Sequence, residues 1–367
     1  MKTAGIVSEF NPFHNGHKYL IDSVRAQHSP DAVVCIMSGD FVQRGGPAVL
    51  SKWDRAAMAV ACGADLVVEL PAVYAVSGAS HFAKGAVRIM KGLGLDIIAF
   101  GSESGSLIEL ESKLHDGELT PMDIKNRPND ILALEYIKQN AVQNAGLQEY
   151  TVLRVGAGHD SGKIVQNSAS ASFIRKMLSE SGKSAEIDGF MPSEALDILR
   201  SSCLCIKEAE ARWFDLIRWA LLDKCPEEIS ALPAAYGGIE YRLKEAVLKA
   251  SSLDELILSA KAKRYAYAGL SRLVTQLILG ISRETVLQAD EACLAYARVL
   301  AFSRAGSALL KEKRKSASIP VITNIGKNLE AGAPQRLLLD IDTKAADIYS
   351  ILLNQSIYQN SDYVRHP

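Results

Sequence analysis

The sequence predicts an α/β protein: an N-terminal Rossmann-like domain with a parallel sheet, followed by a mainly helical C-terminal domain. Three observations carry this. Short β-rich apolar runs alternate with helix-spaced segments through the first half of the chain, the pattern of a parallel sheet with crossover helices. From about residue 193 onward most segments keep only the helical spacing. Between them, Glu186 to Pro192 has the composition of a boundary, so the expected domains are 1–190 and 191–367.

The first element is the apolar run Ala4-Gly5-Ile6-Val7, a buried strand. Asn11-Pro12 ends it. His14-Asn15-Gly16-His17 follows, then Tyr19, Leu20, Ile21 and Val24 at helical spacing. A strand, a tight loop and a helix start place backbone N–H groups and a positive dipole end at the loop, which suits a phosphate. Two histidines three residues apart share a face of the first turn and can donate to phosphate oxygens. Gly16 leaves room for a nucleotide close to the backbone. The bland reading is a helix start with two solvated histidines.

Residues 32–37 form a second strand, followed by the loop Ser38 to Pro47 carrying Asp40. Ligands bind outside the carboxyl ends of strands in such sheets, so this loop belongs beside the first. Ser51 caps a helix over 51–62, with Lys52 and Arg55 on one side. Residues 64–71 give a third strand, 82–90 a helix and 96–104 a fourth strand, ending near Gly101. Residues 105–130 read as a polar, turn-rich surface excursion. Asn129 stands where it can cap the next helix or approach the ligand. A fifth strand is predicted over 150–158 with Arg154 inside it. The serines 168, 170 and 172 precede Ile174-Arg175, where hydroxyls, free N–H groups and a guanidinium can hold an anion.

In the second half, helices are expected over 193–203, 207–223, 240–250, 253–260, 268–280, 284–288 and 290–315, with a short β-like piece at 318–325. Lys261, Lys263, Arg264 and Arg272 lie among Tyr265 and Tyr267, a mixture suited to RNA phosphates and bases. Solvated helix faces explain such clusters equally well. Arg304, Lys311, Lys313, Arg314 and Lys315 form a second basic group.

Composition bounds the remaining classes. The chain has 367 residues, 48% hydrophobic and 23% charged, enough for a large core. Net charge is −1, so nucleic-acid binding must come from local patches. The six cysteines form no CxxC pair, which predicts a reducing, cytoplasmic compartment. Residues 1–20 do not read as a signal peptide, and no stretch reads as a membrane span. His28, His81, His115, His159 and His366 are dispersed, so His14 and His17 lack a third zinc ligand and no protein-held metal is expected.

The HxGH signature after a first strand resembles the HIGH nucleotidyltransferase superfamily, and the Ser-rich turn before Ile174-Arg175 is similar to its second signature. More closely, GIVSEFNPFHNGH, MSGDFVQRGGPAVLSKWDRAAMA, FGSES, RPNDILALEYIK, LRVGAGHDS, SASASFIRK and KRYAYAGLSRL run in the order seen in the bacterial tRNA(Met) cytidine acetate ligases. That resemblance implies a HIGH-type nucleotidyltransferase domain joined to an RNA-binding helical domain. It implies activation of acetate by ATP, with Mg²⁺ arriving on the nucleotide, and transfer of acetyl to N4 of the wobble cytidine of elongator tRNA(Met). Carried over, the ATP loop comprises Val7, Ser8, Glu9, Phe10, Asn11, Pro12, Phe13, His14, Asn15, Gly16, His17, Lys18, Tyr19 and Leu20, with Gly101, Asn129 and Arg154 as further nucleotide contacts. His14, His17, Asp40 and Arg175 are the expected catalytic set, Asp40 or Glu9 orienting the amine. Lys261, Lys263, Arg264 and Arg272 are expected on the tRNA. Pro12 and Phe13 offer a short apolar wall for the methyl group of acetate. This chain departs from the family pattern at Asp40, commonly Asn, at Gly158, where a tyrosine is usual, and in a shorter segment between Gly101 and Asn129. A nucleotidyltransferase adenylylating a small phosphate compound is the rival enzyme class, and a non-catalytic RNA-binding module the rival outside enzymes.

Overall fold

The first strand, β1 (Thr3–Ser8), runs parallel to β2 (Ala32–Ser38) on one side and to β4 (Ile97–Ser102) on the other. The computed structural model describes residues 1–116, 127–154, 169–183, 185–325, 333–360, 362–365 and 367. The first half of the sheet is completed by β3 (Leu66–Leu70), parallel to β2, and β5 (Gln148–Leu153), parallel to β4. The order β5-β4-β1-β2-β3 reverses direction at β1, and such a switch point opens a crevice at the carboxyl edge. Every residue of β2 is buried, with Val34 and Ile36 facing one apolar core and Val33, Cys35 and Met37 the other. The continuous apolar run therefore reflects a sheet covered on both faces.

The crossover helices are α1 (Asn15–His28), α2 (Lys52–Ala61), the single turn α3 (Ala72–Ala75), α4 (Ala79–Leu93), α5 (Leu107–Asp116) and α6 (Pro128–Val142). Ser51 caps α2 as expected, its Oγ accepting from Asp54 N. The predicted turn-rich stretch after β4 instead contains α5, whose Leu110 is fully buried in the core beside α6. Asn129 does not cap α6. The cap position is Arg127, Pro128 opens the helix, and the Glu103 carboxylate accepts from Asn129 N (3.2 Å) and Asp130 N (2.7 Å). β5 stops at Leu153, paired with Ser102, so Arg154 lies just past the strand: its partner β4 ends there.

The second half continues with α7 (Ala171–Ser181), α8 (Ser193–Ser201), α9 (Lys207–Asp223), α10 (Pro226–Ser230), α11 (Ile239–Val247), α12 (Leu253–Ala260), α13 (Tyr267–Leu279) and α14 (Arg283–Glu291). The helix expected over 290–315 is a strand and a helix. β6 (Ala297–Phe302) joins the same sheet antiparallel to β3, and α15 (Arg304–Ser316) follows, capped by Ser303 accepting from Gly306 N. β7 (Val321–Ile322) pairs with β6 and ends a seven-stranded sheet. α16 (Arg336–Leu352) then packs beside α9 and α3. Among the described residues no helix is long and apolar enough to cross a membrane.

Candidate active site

The site is built from the loops leaving β1, β2, β4 and β5, with α7 closing one side. His14 is the N-cap of α1: its Nδ1 accepts from Gly16 N at 3.0 Å. His17 reciprocates, its Nδ1 accepting from His14 N at 3.2 Å. This is a capping box made of two imidazoles. The rings stack with centroids 3.8 Å apart. An Nδ1 that accepts from the backbone carries no proton, so each neutral ring holds its proton on Nε2. Burial, then the guanidinium charges of Arg154 and Arg175, push the His14 pKa down to about 3. Burial, His14 and Arg154 hold His17 well below its ordinary range. Both imidazoles are neutral donors near pH 7.

Two guanidinium groups act on this pair, and a third stands beside them. Arg175, on α7, donates from Nη1 to Asn11 O (2.8 Å) and from Nη2 to Ser172 Oγ (3.1 Å). Arg154 donates its backbone N–H to Ser102 O at 2.9 Å, and its side chain runs over Gly101. A Cβ at Gly101 would meet Arg154 Cγ at 2.9 Å, so glycine makes the crossing possible. Arg44, on the exposed turn of the β2–α2 loop, lies close enough to oppose the charges of both. Among the described residues none of the three forms an ion pair with a carboxylate. Guanidinium groups that lack a direct carboxylate partner, with only Glu103 and Glu9 acting on Arg154 and Arg175 from further off, form an anion site beside neutral imidazole donors at a helix N-terminus.

Several expected contacts have other duties. Phe13 is fully buried beneath the histidines, against Phe10 and His17, and is not a wall on the ligand side. Pro12 is buried with it. Asn11 Oδ1 accepts from Val49 N, and the Glu9 carboxylate accepts from Gln43 N, tying the first two loops together. Asn129 Nδ2 donates to Glu103. Ser170 Oγ caps α7 by accepting from Phe173 N. Residue 168 and the 156–161 block lie outside the described residues.

Asp40 is buried, with Oδ1 accepting from Lys52 N at 2.8 Å. Burial raises its pKa against the opposing pull of Lys52 and Arg55. No hydrogen bond or ion pair among the described residues joins it to His14, His17 or Arg175. It belongs to a buried charged cluster that sequence patterning does not reveal. Lys52 Nζ sits 2.8 Å from Glu69 Oε1 and 2.6 Å from Asp362 Oδ2, with Arg298 Nη1 3.5 Å from the latter. Burial disfavours the Lys52 charge, but Asp362, Glu69 and Asp40 outweigh it and hold the ammonium above its usual range. Arg55 anchors the loop ends, donating to Glu9 O (2.6 Å), Ser38 O (3.1 Å) and Gly39 O.

The basic group in the second half divides. Lys261, Lys263 and Arg264 are exposed, and Arg264 lies over Tyr265, which is itself buried. Arg272 turns toward the β2–α2 loop and donates to Gln43 O at 3.3 Å. Beside it, Gly46 N donates to Thr275 Oγ1 (2.9 Å) and Ser271 Oγ to Gly45 O (3.2 Å). In the other basic group Lys313 is buried, donating to Gly94 O.

A family model described as HIGH Nucleotidyl Transferase matches residues 1–120 and 112–363. A tRNA(Met) cytidine acetate ligase of Clostridium perfringens is 34% identical, covering 100% of this chain and 99% of its own. One of Listeria monocytogenes is 32% identical, with 99% and 98% covered. Among solved structures, Thermotoga maritima TmcAL bound with alpha-thio ATP superposes with a TM-score of 0.85 at 28% identity, covering 100% of this chain and 99% of that one. The imidazole capping box, the crevice at the switch point and these full-length matches together show that the chain belongs to the HIGH nucleotidyl transferases, within the tRNA(Met) cytidine acetate ligase family.

Proposed function

We propose that the protein is an ATP-dependent ligase that activates acetate as acetyl-adenylate and transfers the acetyl group to N4 of the wobble cytidine of elongator tRNA(Met). The observation that carries the reading is the pair of neutral, Nε2-protonated histidines framed by Arg154 and Arg175, in a chain similar along its whole length to tRNA(Met) cytidine acetate ligases.

In the first step an acetate oxygen attacks the α-phosphorus and pyrophosphate leaves. Acetate is already ionised near neutral pH, so this step needs no base. His14 and His17 are unsuited to take a proton, because each Nδ1 is engaged by a backbone N–H. They donate from Nε2 to the phosphate oxygens as charge gathers there. The arginines fix the triphosphate and favour the departing pyrophosphate. In the second step the cytidine amine attacks the acetyl carbonyl carbon. The carbon–oxygen bond to AMP breaks, and the nitrogen loses one proton to solvent. Mg²⁺ would ride on the triphosphate, neutralising part of its charge.

The exposed Lys261, Lys263 and Arg264 suit tRNA phosphates. The test combines ATP, labelled acetate and total tRNA, then nucleoside mass analysis, with pyrophosphate exchange measured in the absence of tRNA. Acetate-dependent exchange and labelled N4-acetylcytidine are expected. Exchange indifferent to acetate, with no modified nucleoside, would favour the rival small-phosphate transferase.

A further inference from the structure

A cleft of about 960 Å³ opens beside the adenylate site, and Arg175 belongs to both. One wall is the β2–α2 loop from Arg44 to Val49. The other is the first half of α9 with the starts of α12 and α13. Its volume is in the range of ligand-binding clefts and far exceeds what a two-carbon acid needs.

The lining is amphipathic in a particular way. Trp213 and Phe214, both largely buried, form the cleft's aromatic floor, and the exposed Arg218, paired with Asp215 at 3.8 Å, lies 5.5 Å over the Phe214 ring. Arg44 and Lys207 add cations to the lining, interspersed with the carboxylates of Glu210, Asp215 and Asp254. An aromatic floor edged by cations is among the elements that hold unstacked nucleotides, and the interspersed carboxylates can accept from an exocyclic amine. The Trp213 indole N–H is buried without a hydrogen-bond partner, which is costly unless something accepts it. Gly46 stands beside it with no side chain: even a Cβ there would stop 4.0 Å from Nε1.

We propose that this cleft receives the acceptor cytidine, flipped out of its RNA, with the Trp213 N–H donating to an acceptor on the pyrimidine ring. The inference rests on the ligase reading above. Cytosine presents O2 and N3 as acceptors and N4 as an amine. A donor that engages O2 or N3 leaves N4 uncommitted, and the shared Arg175 marks the end of the cleft where the acetyl group waits. Base extraction into a protein cleft is how enzymes reach atoms hidden in stacked nucleic acid.

The experiment uses the full chain. Trp213→Phe keeps an aromatic ring against Phe41 and removes the N–H together with part of the buried indole, so thermal stability is read beside exchange and transfer. Arg218→Ala removes an exposed cation from the rim. Both should keep acetate-dependent pyrophosphate exchange within about twofold of the parent. Transfer to tRNA should fall about tenfold in kcat/KM for Trp213→Phe, the scale of one base-directed hydrogen bond, with a raised KM for tRNA in Arg218→Ala. Unchanged transfer in both variants overturns the assignment, as does loss of exchange in Trp213→Phe, which would make the indole a packing group. If the parent protein itself shows no acetate-dependent exchange, it is the ligase reading that fails.

Discussion

At the N-terminus of α1 each imidazole does two things with two nitrogens. Nδ1 closes the helix cap, and Nε2 keeps the proton that the ligase reading uses as a donor to phosphate. The two roles separate by substitution. His14→Asn retains a side-chain acceptor suited to the cap but withdraws the donor, whereas His14→Ala removes both. Adenylate formation should fall at least on the order of 10²-fold in each. Thermal stability should drop by about 1 kcal/mol in the alanine variant only. Equal stability of the two variants would remove the capping role. The pH dependence has a definite sign. With His14 at about 3 in the folded protein against an ordinary 6.5, the unfolded chain binds more protons between those values. This contribution to stability is complete above pH 6.5 and declines as the pH falls toward 3. Denaturant midpoints should follow that slope, more shallowly in His14→Asn. Nucleotide affinity should show no imidazole titration between about pH 5 and 8. The paired histidines are legible in the sequence as donors, but their neutrality is not. It depends first on burial, and then on Arg154, from the end of β5, and for His14 also on Arg175, from α7. The side of the loop that Phe13 faces is equally illegible, because adjacency to His14 does not say which way a ring turns.

At the scale of elements, each strand up to β5 is legible from its apolar run, and most helices from their spacing. The differences share a cause. A cap, a strand end and a basic cluster are each decided by a partner distant in sequence. Glu103 takes the cap from Asn129, and the end of β4 takes Arg154 out of β5. Arg272 follows Lys263 and Arg264 closely in the chain, yet α13 turns it onto the β2–α2 loop. Gly45 allows that approach, since a Cβ there would lie 2.4 Å from Arg272 N at a backbone φ of +84°. Lys261 and Lys263 therefore test RNA binding more cleanly than Arg272. Replacing both with Gln should weaken tRNA binding and flatten its salt dependence, by about one unit of slope for each phosphate no longer neutralised. Adenylate formation should be untouched. An unaltered salt slope would return these lysines to ordinary solvated surface.

Across the whole molecule, residues far apart in sequence meet in the buried cluster around Lys52. Asp362 and Lys52 are both fully buried, and nothing in local pattern marks either as a partner of the other. Removing one member of such a pair leaves a buried charge short of compensation. Asp362→Ala should destabilise the fold by about 3–5 kcal/mol, and adding Lys52→Met should restore part of that loss. A melting temperature unchanged in Asp362→Ala would show that Glu69 and Asp40 suffice for the ammonium. The placement of β6 has a consequence for synthesis. As the chain leaves the ribosome, the outer edge of β3 has no neighbour until Phe302 has emerged, after all the helices from α7 to α14. An unpaired apolar edge of that kind invites pairing with another nascent chain. The long-range closure of β6 on β3 is thus the step that removes this edge from competition with other chains.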